Sequence, residues 1–349
     1  MMEGATSVPV LRMGVVGVGS LGFHHARILA DMPGVTMAGV YDIHGERSQE
    51  VGRQLGVPVL QTREGLLGVA DAVVVAVPTT AHEEVAVAAL ESGVAVLVEK
   101  PIAPTLDAAD RILAQARRSG AVIQVGHVER FNPAVVAAEP FLDEMLFVES
   151  HRLAPFSRRS TDVAVVLDLM IHDVDLVGSL VDTPVRDIDA VGVPVLTSSV
   201  DIANARLVFE SGAVANLTAS RISFERMRKV RIFQRSGYLS LNLADGTGEF
   251  LRLKGELPAL GGASGASWAA DAFDLSAIVE RIPIQGDGSD PLRRELESFR
   301  DAALGLSPPV VSGDGGRAAL AVTLAIQERI QSTVYGSPSL TGASAEPAG

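Results

Sequence analysis

The chain has 349 residues, a length for two domains, and 47% hydrophobic residues, enough to build sizeable cores. Its formal net charge of −13 argues against a nucleic-acid partner, whose phosphates need a basic face, but not against a small phosphorylated ligand held by a few arginines. There is no cysteine, hence no disulfide framework and no thiolate metal site. No run of about 18 apolar residues predicts a membrane span, and the opening MMEGATSVPVLRM lacks the basic and apolar regions of a signal peptide, so a cytoplasmic protein is expected.

From Arg12 to Val125, strand and helix patterns alternate. Strands are predicted at 12–17, 35–41, 58–60, 71–77, 94–98 and 121–125, and helices at 20–32, 44–55, 81–92 and 105–119. That alternation predicts βαβ units and a parallel sheet. The first strand runs into Gly17-Val18-Gly19-Ser20-Leu21-Gly22, and the second ends at Asp42. Glycines between a strand and a helix, with an acid after the next strand, form the dinucleotide-binding fingerprint. Gly17 takes the tight turn, Gly19 leaves room for a pyrophosphate, and Gly22 lets the helix approach the sheet. Ser20 and Leu21 open the helix whose N–H groups and positive dipole end face the phosphates. Asp42 accepts from a ribose 2′-hydroxyl and repels a 2′-phosphate, which points to NAD over NADP.

Ligands of open α/β sheets bind at the carboxyl ends of the strands. Pro78, Thr79 and His82 leave the strand at 71–77, and Glu99, Lys100 and Pro101 leave the strand at 94–98. A lysine there donates to a substrate oxygen beside a nicotinamide, or is a surface lysine paired with Glu99. His127 and Arg130 leave the strand at 121–125, at the expected cofactor edge.

After about Gly126 the pattern changes. One helix is predicted over 162–182, capped by Thr161 or Asp162. Asp168 and His172, spaced i and i+4, share a helical face there, with Asp175 on roughly the same side. The pair reads as an acid/base with its orienting carboxylate, as a solvated surface histidine, or, less readily for want of other ligand spacing, as part of a metal site; no metal is expected. Between 185 and 243 strands alternate with turns, and FESGAVANL and FQRSGYLSL each hold Ser-Gly between strand-like runs, as hairpins do. Helical patterns return at 290–304 and 314–333, GGASGAS at 261–267 reads as a loop, and 336–349 reads as a disordered tail. The expected architecture is α/β: a doubly wound NAD-binding domain at 1–125, then an α+β domain at 126–335 with a large, mostly antiparallel open sheet. Such a sheet face buries itself against a second copy, so a homo-oligomer is expected.

The glycine fingerprint with Asp42, then Glu99-Lys100-Pro101, then Asp168-x-x-x-His172 resembles the glucose–fructose oxidoreductase/inositol dehydrogenase (Gfo/Idh/MocA) family over roughly residues 10–333. The resemblance implies NAD(P)-dependent oxidation or reduction of a sugar-like carbon, with Lys100, Asp168 and His172 as the catalytic set. One departure is Val163-Ala164-Val165-Val166-Leu167, where some members carry a glycine-rich turn. VGHVERFNPAV and RRSTDVAVVLDLMIHDVDLV are further similar to bacterial UDP-N-acetylglucosamine 3-dehydrogenases, which implies oxidation of a nucleotide sugar to a 3-ketone on the way to amino sugars of lipid A. On that reading Arg130, Arg158, Arg159, Asp175 and Arg226 face the substrate, since arginine grips a diphosphate bidentately. The alternatives are a polyol, inositol or free-sugar dehydrogenase, an NAD-dependent glycoside hydrolase, and a non-catalytic NAD-binding regulator.

Overall fold

The computed structural model describes residues 10–157, 163–255 and 278–335, with side chains to 332. Two compact units divide the chain: Met1–Phe131 with Ser289–Leu324, and Asn132–Gly288 with Ala325–Gly349. The expected tail at 336–349, the loop at 261–267 and the caps Thr161 and Asp162 lie outside the described residues.

In the first unit β1 (Leu11–Val16), β2 (Val35–Tyr41), β3 (Ala72–Val75), β4 (Ala95–Glu99) and β5 (Ile123–Gly126) form a parallel sheet in the order β2-β1-β3-β4-β5. The order reverses beside β1, so the crevice of the doubly wound topology opens where Gly17 leaves that strand. The crossovers carry α1 (Ser20–Ala30), α2 (Gly45–Leu55), a short α3 (Arg63–Leu67), α4 (His82–Glu91) and α5 (Leu106–Ser119). Every residue of β3 and β4 is buried, as strands covered on both faces must be, which explains their unbroken apolar runs. The strand expected at 58–60 is reduced to a single bridge, Val40–Val59.

The first unit also takes in a late segment. The helix Pro291–Ala303 starts where the Asp290 side chain accepts from Leu292 N at 3.0 Å, with Pro291 in the first turn. Its Leu296 and Phe299 are fully buried in the core built by Met13, Val15 and Leu29. The final helix begins at Gly313 and runs to Tyr335. A cut at 125/126 therefore does not coincide with the compact units, because sequence order carries no signal that the chain returns.

In the second unit, β6 (Met145–Leu153), β7 (Val185–Val193), β8 (Ile202–Phe209), β9 (Val214–Ser220), β10 (Met227–Gln234), β11 (Gly237–Asn242), β12 (Thr247–Leu253) and β13 (Val279–Gln285) form one sheet. Its order is β13-β12-β11-β10-β6-β9-β8-β7, antiparallel throughout except for the β6–β9 pair. Both Ser-Gly sequences turn hairpins, β8 to β9 and β10 to β11, as expected. The fold class is thus as the sequence predicts.

The helix expected over 162–182 is broken in two. Val166–Met170 is a π-turn, and a regular α6 helix follows from Ile171 to Val181. The extra residue per turn spoils the α-helical i, i+4 register at Asp168. The apolar run around it offers no glycine, proline or cap to mark the change.

Candidate active site

The first unit builds a cradle at the carboxyl end of β1. Gly17 sits at φ +85°, and a Cβ there would lie 2.7 Å from the Ala76 carbonyl oxygen. A Cβ on Gly22 would overlap the Gly17 carbonyl oxygen, so this glycine lets α1 close onto the turn. Gly19 is different, since a Cβ there meets no protein atom within 4 Å. No side chain caps α1, and its first turn, opened by Ser20 and Leu21, holds no acid. An uncapped helix end beside an open glycine fits a pyrophosphate.

Asp42 is fixed at the same turn: Oδ2 accepts from Val18 N at 2.8 Å and Oδ1 from His44 N at 2.9 Å. A carboxylate has about four lone-pair positions, so acceptor capacity remains for ribose hydroxyls. Arg47, which the sequence reading did not single out, donates from Nε to the Val18 carbonyl at 2.8 Å and lies over the Phe23 ring. Its only sequence signal is a position five residues past Asp42.

At the next two strand ends the side chains are less free than their positions suggest. Pro78 is exposed and Thr79 opens a short 3-10 turn. His82, expected to face the cofactor, is buried, with Nδ1 2.9 Å from the Pro101 carbonyl and Nε2 3.0 Å from the Val77 carbonyl. Its ring ties together the loops that leave β3 and β4. Burial holds this imidazole below its ordinary pKa, against the opposing pull of the two carbonyls and Glu99.

Glu99, also expected at the cofactor, is directed into the core instead. Oε1 lies 2.7 Å from His25 Nε2, and Oε2 accepts from Lys100 N at 3.2 Å. Burial pushes the Glu99 carboxyl up, but His25 and then Lys100 outweigh it, and the group is held below the usual carboxylate range. Glu295 on the returning helix completes a buried trio, with one ligand-type atom from each residue within 4.8 Å of the others. His25 and Glu295 were not picked out from sequence; the signal for His25 was a histidine on the apolar face of α1. The 2.7 Å contact makes His25 and Glu99 a hydrogen-bonded pair that fixes the strand end from which half-buried Lys100 emerges. His127 is buried just past β5, and Arg130 is half-buried one turn later.

The second unit carries the other expected residues. Asp168 lies in the π-turn and His172 in the first turn of α6, both half-buried. Between them and the sheet sits a buried ion pair. Arg152 of β6 donates from Nε and Nη2 to the Asp173 carboxylate at 2.8 and 3.0 Å, and Ser150 Oγ adds a bond of 3.0 Å. This clamp pins the start of α6 to the end of β6 and thereby sets where His172 projects. Asp175, expected at substrate, is buried. Arg226 is exposed on the loop between β9 and β10, whereas Arg158 and Arg159 lie outside the described residues. Arg221, at the start of that loop, is buried: it donates to the carbonyls of Val163 and Val200 and pairs with Asp201.

Known proteins resemble this chain in sequence and fold. Residues 11–127 match an oxidoreductase family with an NAD-binding Rossmann fold, and residues 144–240 match the GFO/IDH/MocA C-terminal domain. UDP-N-acetylglucosamine 3-dehydrogenase from Acidithiobacillus ferrooxidans is 34% identical over 92% of this chain and 97% of its own length. A solved structure of that enzyme superimposes with a TM-score of 0.83 at 33% identity, covering 92% of this chain and 98% of the other. The scyllo-inositol 2-dehydrogenase (NAD(+)) of Bacillus subtilis is 27% identical over 61% of this chain and 68% of its own. The NAD cradle, the Glu99-Lys100-Pro101 strand end and the matches along both units agree: this chain is a member of the Gfo/Idh/MocA family of NAD-binding oxidoreductases.

Proposed function

We propose that this protein oxidises a hydroxyl of a nucleotide sugar to a ketone with NAD, the substrate being UDP-N-acetylglucosamine and the carbon C3. The observation that carries the reading is the 34% identity to a UDP-N-acetylglucosamine 3-dehydrogenase across nearly the whole of both chains. NAD supplies the hydride acceptor when bound. In this reading His172 has the role of general base for the hydroxyl proton, Lys100 that of stabilising developing negative charge, and Asp168 that of orienting His172 or a neighbouring hydroxyl. Pro78, Thr79, His127 and the glycine turn line the cofactor, while Arg130 and Arg226 receive the diphosphate, with Arg158 and Arg159 assigned to it as well. The first unit holds the cofactor and the second the sugar.

The protein works as a cytoplasmic homo-oligomer, and its product is a 3-keto sugar of the kind that is aminated for lipid A. The second unit's sheet supports assembly: Phe147, Phe233 and Tyr238 stand in one cross-strand row, with ring centroids 5.6 and 4.8 Å apart. Among the described residues no helix is long and apolar enough to cross a membrane.

Incubating the purified protein with NAD and UDP-N-acetylglucosamine tests the reading. Growth of the near-ultraviolet NADH absorbance, with a 3-keto product, is expected. Release of UDP without NADH would point to hydrolysis by transient oxidation. The likeness to a scyllo-inositol dehydrogenase favours one second reading, polyol oxidation. Turnover of inositols with none of any nucleotide sugar would establish it.

A further inference from the structure

The most exposed large apolar side chain among the described residues is Phe224, at 104% of its reference area. It lies on the loop that joins β9 to β10, and that loop is tightly held. In the sheet, Leu153 at the end of β6 pairs with Ser220 on one side and Met227 on the other, so the loop arches over the end of β6. The chain leaving β6 is stitched to it: Ala154 N donates to Ser220 O at 2.8 Å, Ser223 N to Ala154 O at 3.1 Å, and Ser223 Oγ to Ser220 Oγ at 3.0 Å. Buried Arg221 then anchors the loop to Val163 and Val200. An aromatic ring on such a loop is presented to solvent by a fixed backbone.

A second ring leaves the same corner. Phe156 is 44% exposed, two residues beyond the stitched Ala154. The corner adjoins the elements that carry Asp168 and His172, because Arg221 bonds Val163 at the approach to the π-turn and Arg152 of β6 bonds Asp173. From Arg152 to Phe156 is four residues, at most about 14 Å of extended chain. The flanking residues Ser223, Glu225, Arg226 and Arg228 are polar, and the last three are exposed. A ring fringed by arginines is a poor seat for an apolar partner but suits a planar base attached to phosphates, since every base has a π-face and arginine binds phosphate.

We propose that Phe224, on the corner that Phe156 also leaves, is the stacking platform for the nucleobase of the substrate, and that it sets the preference for a nucleotide sugar over a bare sugar phosphate. This rests on the nucleotide-sugar reading above. Stacking energy spent on a part of the substrate remote from the reacting carbon is present equally in ground and transition states, so it lowers KM and leaves kcat alone.

The test compares wild type with Phe224→Ala and Phe224→Tyr on UDP-N-acetylglucosamine and on the base-free N-acetylglucosamine 1-phosphate, with direct titration of UDP and sedimentation velocity on each. Phe224→Ala is expected to raise KM for the UDP sugar and Kd for UDP by about 5- to 100-fold. Values for the base-free sugar phosphate, kcat and the oligomeric state should be unchanged, and Phe224→Tyr should stay near wild type. An unchanged KM and Kd in the alanine variant overturns the inference, as does an equal loss on both substrates or dissociation of the oligomer. Wild type that binds no UDP overturns it too. Wild type that binds UDP through Phe224 but oxidises no nucleotide sugar sinks the functional reading and leaves the base site standing.

Discussion

Asp42 accepts from the amides of Val18 and His44, which fixes its carboxylate beside the glycine turn. Arg47, bonded to the Val18 carbonyl and paired with Glu50, is a cation held at the same turn. Asp42→Ala is therefore expected to raise the ratio of kcat/KM for NADP over NAD by about tenfold or more, as measured by initial rates with each cofactor. His172→Asn should lower kcat by about 10²- to 10⁴-fold while NAD titration, followed by fluorescence, stays at the wild-type Kd. A His172→Asn protein that turns over at the wild-type rate would remove the base assigned to it. Lys100 and His172 stand out in the sequence as candidates because one follows a strand end and the other lies one turn from an acid, positions where proton-handling groups are useful. Glu99 and His82 read as cofactor residues by their strand-end positions, but a strand end also needs groups that tie it down, and these two meet His25 and backbone carbonyls.

At the scale of elements, two buried carboxylates decide how the second unit presents its site. Asp173 neutralises buried Arg152, and removing one partner of such a pair leaves an uncompensated charge. Asp173→Asn should cost about 3–5 kcal/mol, read as a lowered calorimetric transition of the unit that contains α6. Asp201 closes the β7–β8 connection by accepting from the amides of Val195, Leu196 and Thr197 at 2.8, 2.6 and 2.9 Å. Burial pushes its carboxyl up, but these bonds and the Thr197 hydroxyl bring it down to about 2. The unfolded chain titrates near 3.9. The stabilisation, about 2–3 kcal/mol, is thus fully present above pH ~4 and lost as pH falls through ~2. Asp201→Asn should be less stable than wild type at pH 7 in denaturant melts, with the gap closing between pH ~4 and ~2.

At the scale of the whole molecule, the cross-strand row of Phe147, Phe233 and Tyr238 is the feature that assembly would cover. Phe233→Asp places a charge in that row and should shift sedimentation velocity toward monomer, with little change in the monomer's circular dichroism. The sequence by itself determined the two architectures, because period-2 and period-3.6 apolar patterns, Ser-Gly turns and strand-end glycines are local signals that need no partner to be read. It also determined the cofactor, since Gly17, Gly19, Gly22 and Asp42 lie within one βαβ unit. Only the tertiary structure decided that the helix at 291–303 returns to the first core, that a π-turn interrupts the helix at Asp168, and that Glu99 faces His25. Those outcomes depend on which distant surfaces are buried together and on which buried polar atoms must be satisfied, and neither is written in the spacing of residues along the chain.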